Sequence, residues 1–135
     1  MSVQPIRHEG EARSNDVRRA VVEGEPLALR TFTPTQTVIA RSAGVFHYTA
    51  DGRKLYDYSS GVLVANLGHN PRPWLNRFAE YLGWTDKIAS DGPAYFEAVP
   101  LTAYNAITEI EAEACERLVA LMQSCPGGRR MEQVM

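Results

Sequence analysis

An Asp-Gly pair, Asp51-Gly52, separates two short runs of β-branched and aromatic residues, and it limits the fold more than any other feature of this 135-residue chain. Val45-Phe46-His47-Tyr48-Thr49 precedes it and Lys54-Leu55-Tyr56-Asp57-Tyr58 follows, with Ala50-Asp51-Gly52-Arg53 between them. Glycine takes positive φ without a Cβ clash, so Asp-Gly between two such runs predicts a tight β-hairpin. The two-residue period of a strand puts Phe46 and Tyr48 on one face, and Val45 and His47 on the other. Asp51 and Asp57 then read as turn and strand-end hydrogen-bonding residues rather than as paired carboxylates for acid–base work.

Downstream, Ser59-Ser60-Gly61 breaks the second strand, Val62-Leu63-Val64-Ala65 is a short apolar run, and Gly68-His69-Asn70-Pro71 is a turn. From Pro73 to Leu82, the residues Trp74, Leu75, Phe78, Ala79 and Leu82 recur at helical spacing. Pro73 suits a first turn and Gly83 suits the position past the end. Asp86 to Pro100 reads as a loop. A last helix is predicted over Thr108 to Gln123, opened by a Thr108/Glu111 capping box. Its expected buried stripe is Ile110, Ala114, Cys115, Leu118, Val119 and Met122, with Glu109, Glu113, Glu116 and Arg117 facing water. Upstream, Val17, Ala20, Val21 and Val22 form a short helix ended by Gly24 and Pro26. Thr31 to Val38, with Pro34 inside, suits an extended or edge segment. This arm has too little apolar surface to fold alone, so it is expected to lie against another part.

Hydrophobic residues at 44% and charged residues at 22% place the chain among globular proteins rather than disordered ones. A net charge of -2 gives no reason to expect nucleic acid or an anionic membrane as partner. Cys115 and Cys125 are too few and too isolated for a zinc site or a disulfide scaffold. No apolar run approaches the roughly 20 residues that span a bilayer. Met1 to Gly10 lacks the apolar core of a signal peptide, and a cytoplasmic setting is the default expectation. His69 reads as a turn histidine capping local backbone, His47 as a half-buried sheet residue, and Cys115 as a packing residue. Gly127-Gly128-Arg129-Arg130 reads as a turn, since it lacks the pattern of a phosphate loop.

Taken together, Asp51-Gly52 with Leu55 and Asp57, Ser60-Gly61-Val62, Leu67-Gly68-His69-Asn70 and Tyr104-Asn105 resemble the N-terminal part of class III aminotransferases, the ornithine/acetylornithine and omega-type enzymes. Pro71-Arg72-Pro73 departs from the His-Pro that commonly continues the family's turn. The resemblance implies an α+β piece, an antiparallel hairpin or short sheet plus helices, from the small domain of a fold type I pyridoxal-phosphate-dependent transferase that is α/β at full length. It implies an arm over 1–40, part of the small domain over 41–100, and over 101–135 the lead into the large domain. It also implies pyridoxal 5'-phosphate as the parent's cofactor, an amino donor and a 2-oxo acid acceptor as substrates, and a homodimer. Gly61, Val62, Leu63 and Tyr104 would line the substrate pocket.

Pyridoxal phosphate chemistry needs a Schiff-base lysine, an acid for the pyridinium nitrogen and a phosphate cradle. In the family these follow the stretch present here, so the chain reads as a piece of a larger enzyme. Lys54 lies in the hairpin and Lys87 in a polar loop, and they are the only lysines. The chain alone is therefore expected to be inactive, without catalytic, cofactor-binding or metal-binding residues. The alternative reading is a non-enzymatic fragment or interaction module that pairs with a full-length relative through surplus apolar surface on the last helix.

Overall fold

The hairpin forms at the Asp-Gly pair. In the computed structural model, which describes residues 4–25, 36–84, 91–100 and 106–133, strand β2 (Phe46–Thr49) turns back into β3 (Lys54–Tyr56). Phe46 pairs with Tyr56, His47 with Leu55 and Tyr48 with Lys54, and Gly52 takes a φ of 86° in the turn. Edge-to-face packing of Phe46 on Tyr56 and the Lys54 ammonium 3.6 Å above the Phe46 ring reinforce one face of the ladder.

The sheet extends beyond the hairpin. Strand β1 (Val38–Ala43) runs antiparallel to β2, and β4 (Ile107–Thr108) runs parallel to β1, giving the order β3-β2-β1-β4. With helices α1 (Ala12–Gly24), α2 (Ser60–Leu63), α3 (Arg72–Tyr81) and α4 (Glu109–Ser124), this is a small α+β domain on a four-stranded mixed sheet. Val38 has the extended backbone read for Thr31 to Val38, but not the edge position. That residue is fully buried and opens an interior strand paired on both sides. Its parallel partner, Ile107, lies almost seventy residues away, beyond the reach of any local pattern. Residues 31–35 lie outside the described residues.

The core sits where α1 and α4 cross this end of the sheet. Val21, Val38, Ile107 and Ala112 are buried together, with Val17, Ala20 and Ala50 packed against them. The N-terminal helix thus lies against the rest of the chain, as its meagre apolar surface required. Two polar devices fasten it. The buried Arg18 guanidinium donates to Glu11 at 2.7 Å and to the Gln36 carbonyl at 2.7 Å. Asp51, in the hairpin turn, accepts from the Arg13 and Ser14 amides at 3.0 and 2.9 Å and from the Ser14 hydroxyl, so its carboxylate caps α1. Local turn chemistry alone had been expected of Asp51.

Helix α4 opens with the predicted capping box: Thr108 Oγ1 accepts from the Glu111 amide at 3.2 Å, and Glu111 accepts from the Thr108 amide at 3.4 Å. Its buried face is rotated from the expected stripe. Ala112 is buried and Cys115 and Val119 half-buried, whereas Ile110, Ala114, Leu118 and Met122 are exposed. The reason is the partner: α1 packs its Val17, Ala20 and Val21 side here, and its Gly24 comes so near that a Cβ on it would lie 3.5 Å from Cys115 Cβ. Helix α3 has Pro73 in its first turn and Gly83 at a φ of 70° past its end, as expected. Only Ala79 of its stripe is buried. Trp74 and Phe78 stack at 5.4 Å but remain about half exposed.

Candidate functional site

Directly after β3 the backbone enters an unusual corner. Ser60, Gly61 and Leu63 in α2 have φ values of 52°, 56° and 68°, the left-handed region that costs a non-glycine residue roughly 1–2 kcal/mol. Such strain persists only where surrounding contacts over-determine it. Here the contacts come from Asp57. Its Oδ1 accepts from the Ser59 amide and hydroxyl, both at 2.7 Å, and its Oδ2 accepts from the Gly61 amide at 2.9 Å. The strand-end role expected of Asp57 is what the structure shows, carried further.

Opposite the corner lies the Gly-His-Asn turn. His69 exchanges backbone hydrogen bonds with Gly44, and its Nε2 lies 2.7 Å from Asp57 Oδ2. It was expected to cap local backbone; instead its buried ring bonds a carboxylate twelve residues upstream. Gly68 makes the approach possible, because a Cβ there would sit 2.9 Å from the Tyr95 ring and 3.1 Å from the Gly44 Cα. Asn70, at a φ of 53°, donates to the carbonyls of Ser42, Ala98 and Val99, tying β1 to the 91–100 segment.

His47, the half-buried sheet residue, completes the group. It sits across from Ser42 in the β1–β2 ladder, with its Nδ1 2.6 Å from Ser42 Oγ and its Nε2 3.5 Å from Asp57 Oδ2. The two imidazole rings lie 4.6 Å apart. Burial alone would raise the Asp57 carboxyl, but hydrogen bonds from Ser59, His69 and Gly61 outweigh it and hold the group far below the usual carboxylate range. Burial, helped by repulsion from His69, lowers His47 despite the nearby carboxylate. Sequence spacing does not signal this assembly, since only the corner brings residues 47, 57 and 69 to one point.

Of the residues expected in a substrate pocket, Gly61 is buried with its amide on Asp57, Val62 lies in the same turn, and Leu63 is 87% exposed beside them. Tyr104 falls outside the described residues, as does Lys87. Next to the corner, a cavity of about 310 Å³ is bounded by Val64, Leu67, His69 and Trp74. A larger open cleft of about 1180 Å³ runs over Phe46, Tyr48, Lys54, Arg72 and Tyr95. Lys54 is exposed in this cleft with its ammonium on the Phe46 ring, and the Asp57 carboxylate faces Ser59, Gly61 and His69 rather than the cleft's lining residues. The described side chains therefore do not fit a Schiff-base pocket for pyridoxal phosphate. No helix among them is long and apolar enough to cross a membrane.

Among curated proteins the chain is similar to an acetylornithine aminotransferase of Xanthomonas campestris pv. campestris, with 33% identity over 73 residues. The matched stretch is 54% of this chain but only 17% of that relative. No protein-family model matches the chain, and no solved structure matches it.

Proposed function

We propose that this chain is a segment of a class III aminotransferase, an enzyme that moves an amino group between an amine or amino acid and a 2-oxo acid. The observation that carries this reading is the 73-residue likeness to a protein named acetylornithine aminotransferase. The hairpin, the strained corner and the Gly-His-Asn turn support it as features a pocket wall needs: a rigid base with a residue pushed outward at its tip. In this reading Gly61, Val62, Leu63 and Tyr104 shape the substrate pocket. Residues 1–40 form an N-terminal arm, 41–100 are part of the small domain, and 101–135 lead into the large one. Pyridoxal phosphate supplies the electron sink in the full enzyme, held by residues other than those described here. The parent is a homodimer, and the exposed faces of α3 and α4 are surfaces its other parts would cover.

A graft tests the reading. The matched stretch of this chain replaces its counterpart in the Xanthomonas enzyme, and cofactor absorbance and transamination are followed. The expected chimera binds pyridoxal phosphate and turns over, and Leu63→Ala in the graft shifts the preference between amino donors roughly tenfold or more. A chimera that folds and holds the cofactor yet transfers no amino group overturns the proposal.

A further inference from the structure

We propose that His47, Asp57 and His69 form a binding site for one divalent cation of the zinc class. The inference stands apart from the aminotransferase reading. Each of the three offers one ligand atom, and those atoms lie within 4.8 Å of one another. Two nitrogens and one oxygen suit a borderline metal ion, and three protein ligands leave a fourth position for water. Two ligands of a tetrahedral ion, each about 2.1 Å from the metal, stand roughly 3.4 Å apart. His47 Nε2 and Asp57 Oδ2 are 3.5 Å apart, too long for a good hydrogen bond and close to that spacing.

The surroundings have the character of a supporting layer. The Ser42 hydroxyl, itself fully buried, holds the far nitrogen of His47 at 2.6 Å and orients the ring. The Ser59 amide and hydroxyl fix the other oxygen of Asp57. His69 is anchored by its backbone pairing with Gly44. The cluster is also reachable, because the side chain of His47 keeps 12% of its surface open and His69 borders the cavity beside Trp74.

One contact must change. His69 Nε2 and Asp57 Oδ2 stand at hydrogen-bond distance, 2.7 Å, and must part by roughly 0.7 Å around a metal. The proton on Nε2 leaves that atom, for Nδ1 or for solvent, as a lone pair is needed there.

Cobalt(II) is the probe, added to the full chain carrying Cys115→Ser and Cys125→Ser so that thiols do not compete. The expected result is one cobalt per chain with the intense visible absorption of a tetrahedral centre, displaced by zinc. His47→Gln, which keeps a polar group beside Ser42 but loses the ligand nitrogen, should weaken binding more than tenfold, and Ser42→Ala about tenfold. Circular dichroism checks that each variant is folded. Absorption no stronger than that of the aquo ion, or affinity unchanged in folded His47→Gln, overturns the proposal and leaves the cluster as a hydrogen-bonded brace only.

Discussion

The two ends of this domain are held together by different physics. At one end, α1, β1, β4 and α4 enclose Val21, Val38, Ile107 and Ala112 and are stitched by the buried Arg18–Glu11 pair. At the other, the corner, the Gly-His-Asn turn and α3 are placed by hydrogen bonds converging on Asp57 and Asn70, while Leu63, Tyr81 and Trp74 remain exposed. Hydrophobic burial is non-directional and tolerates adjustment; a polar network fixes positions within tenths of an ångström but collapses when one member is lost. The first end is thus held by burial, and the second by directional hydrogen bonds that set its geometry.

Point substitutions sharpen this contrast. Asp57→Ala removes the acceptor for Ser59, Gly61 and His69 together and leaves the histidine buried without its partner. A loss of about 3–5 kcal/mol is expected in urea unfolding, more than for any single change on α3. Ile107→Ala opens a cavity in the apolar end and should cost about 2–5 kcal/mol while the corner keeps its geometry, seen as unchanged histidine ring signals in NMR. Equal sensitivity of those signals to both changes would erase the distinction between the two ends.

Acid provides a third comparison. Hydrogen bonding to Arg18 holds Glu11 below its usual 4.5, and the Ser14 hydroxyl holds Asp51 below 3.8. A carboxyl with a lowered folded pKa binds fewer protons than in the unfolded chain. Its stabilisation is complete above those values and lost as pH falls through the folded ones. The urea midpoint should drop below about pH 4.5, and Glu11→Gln should flatten the fall. A midpoint whose acid dependence ignores Glu11→Gln would remove Glu11 from the α1 anchor. The smallest effect is expected at Phe78→Ala, whose ring is 44% exposed: within about 0.5 kcal/mol in this chain alone. A larger loss would mean that α3 contributes to the folded core after all.

Much of the architecture is legible locally. Asp51-Gly52 announces the hairpin, Thr108 and Glu111 announce the start of α4, and Gly83 marks the end of α3, because turn and cap preferences act over a few residues. Long-range choices were hidden. Nothing near Val38 tells it to pair with Ile107, and the α4 stripe could not reveal that α1 would select the Ala112, Cys115 and Val119 line over Ile110 and Leu118. The candidate site divides the same way. Asp57 as a strand-end acceptor follows from its position, but its union with His47 and His69 needs three turns of chain at positive φ.

Residue chemistry by itself determined the hairpin, the capping box of α4, the end of α3 and the Gly-His-Asn turn, since each depends on the conformational freedom and hydrogen-bonding groups of near neighbours. Only the tertiary structure decided which strand lies inside the sheet, which helix face is covered, and that two imidazoles share one carboxylate. Those outcomes depend on contacts between segments far apart in the chain, where burial and the pairing of polar groups outweigh any local preference.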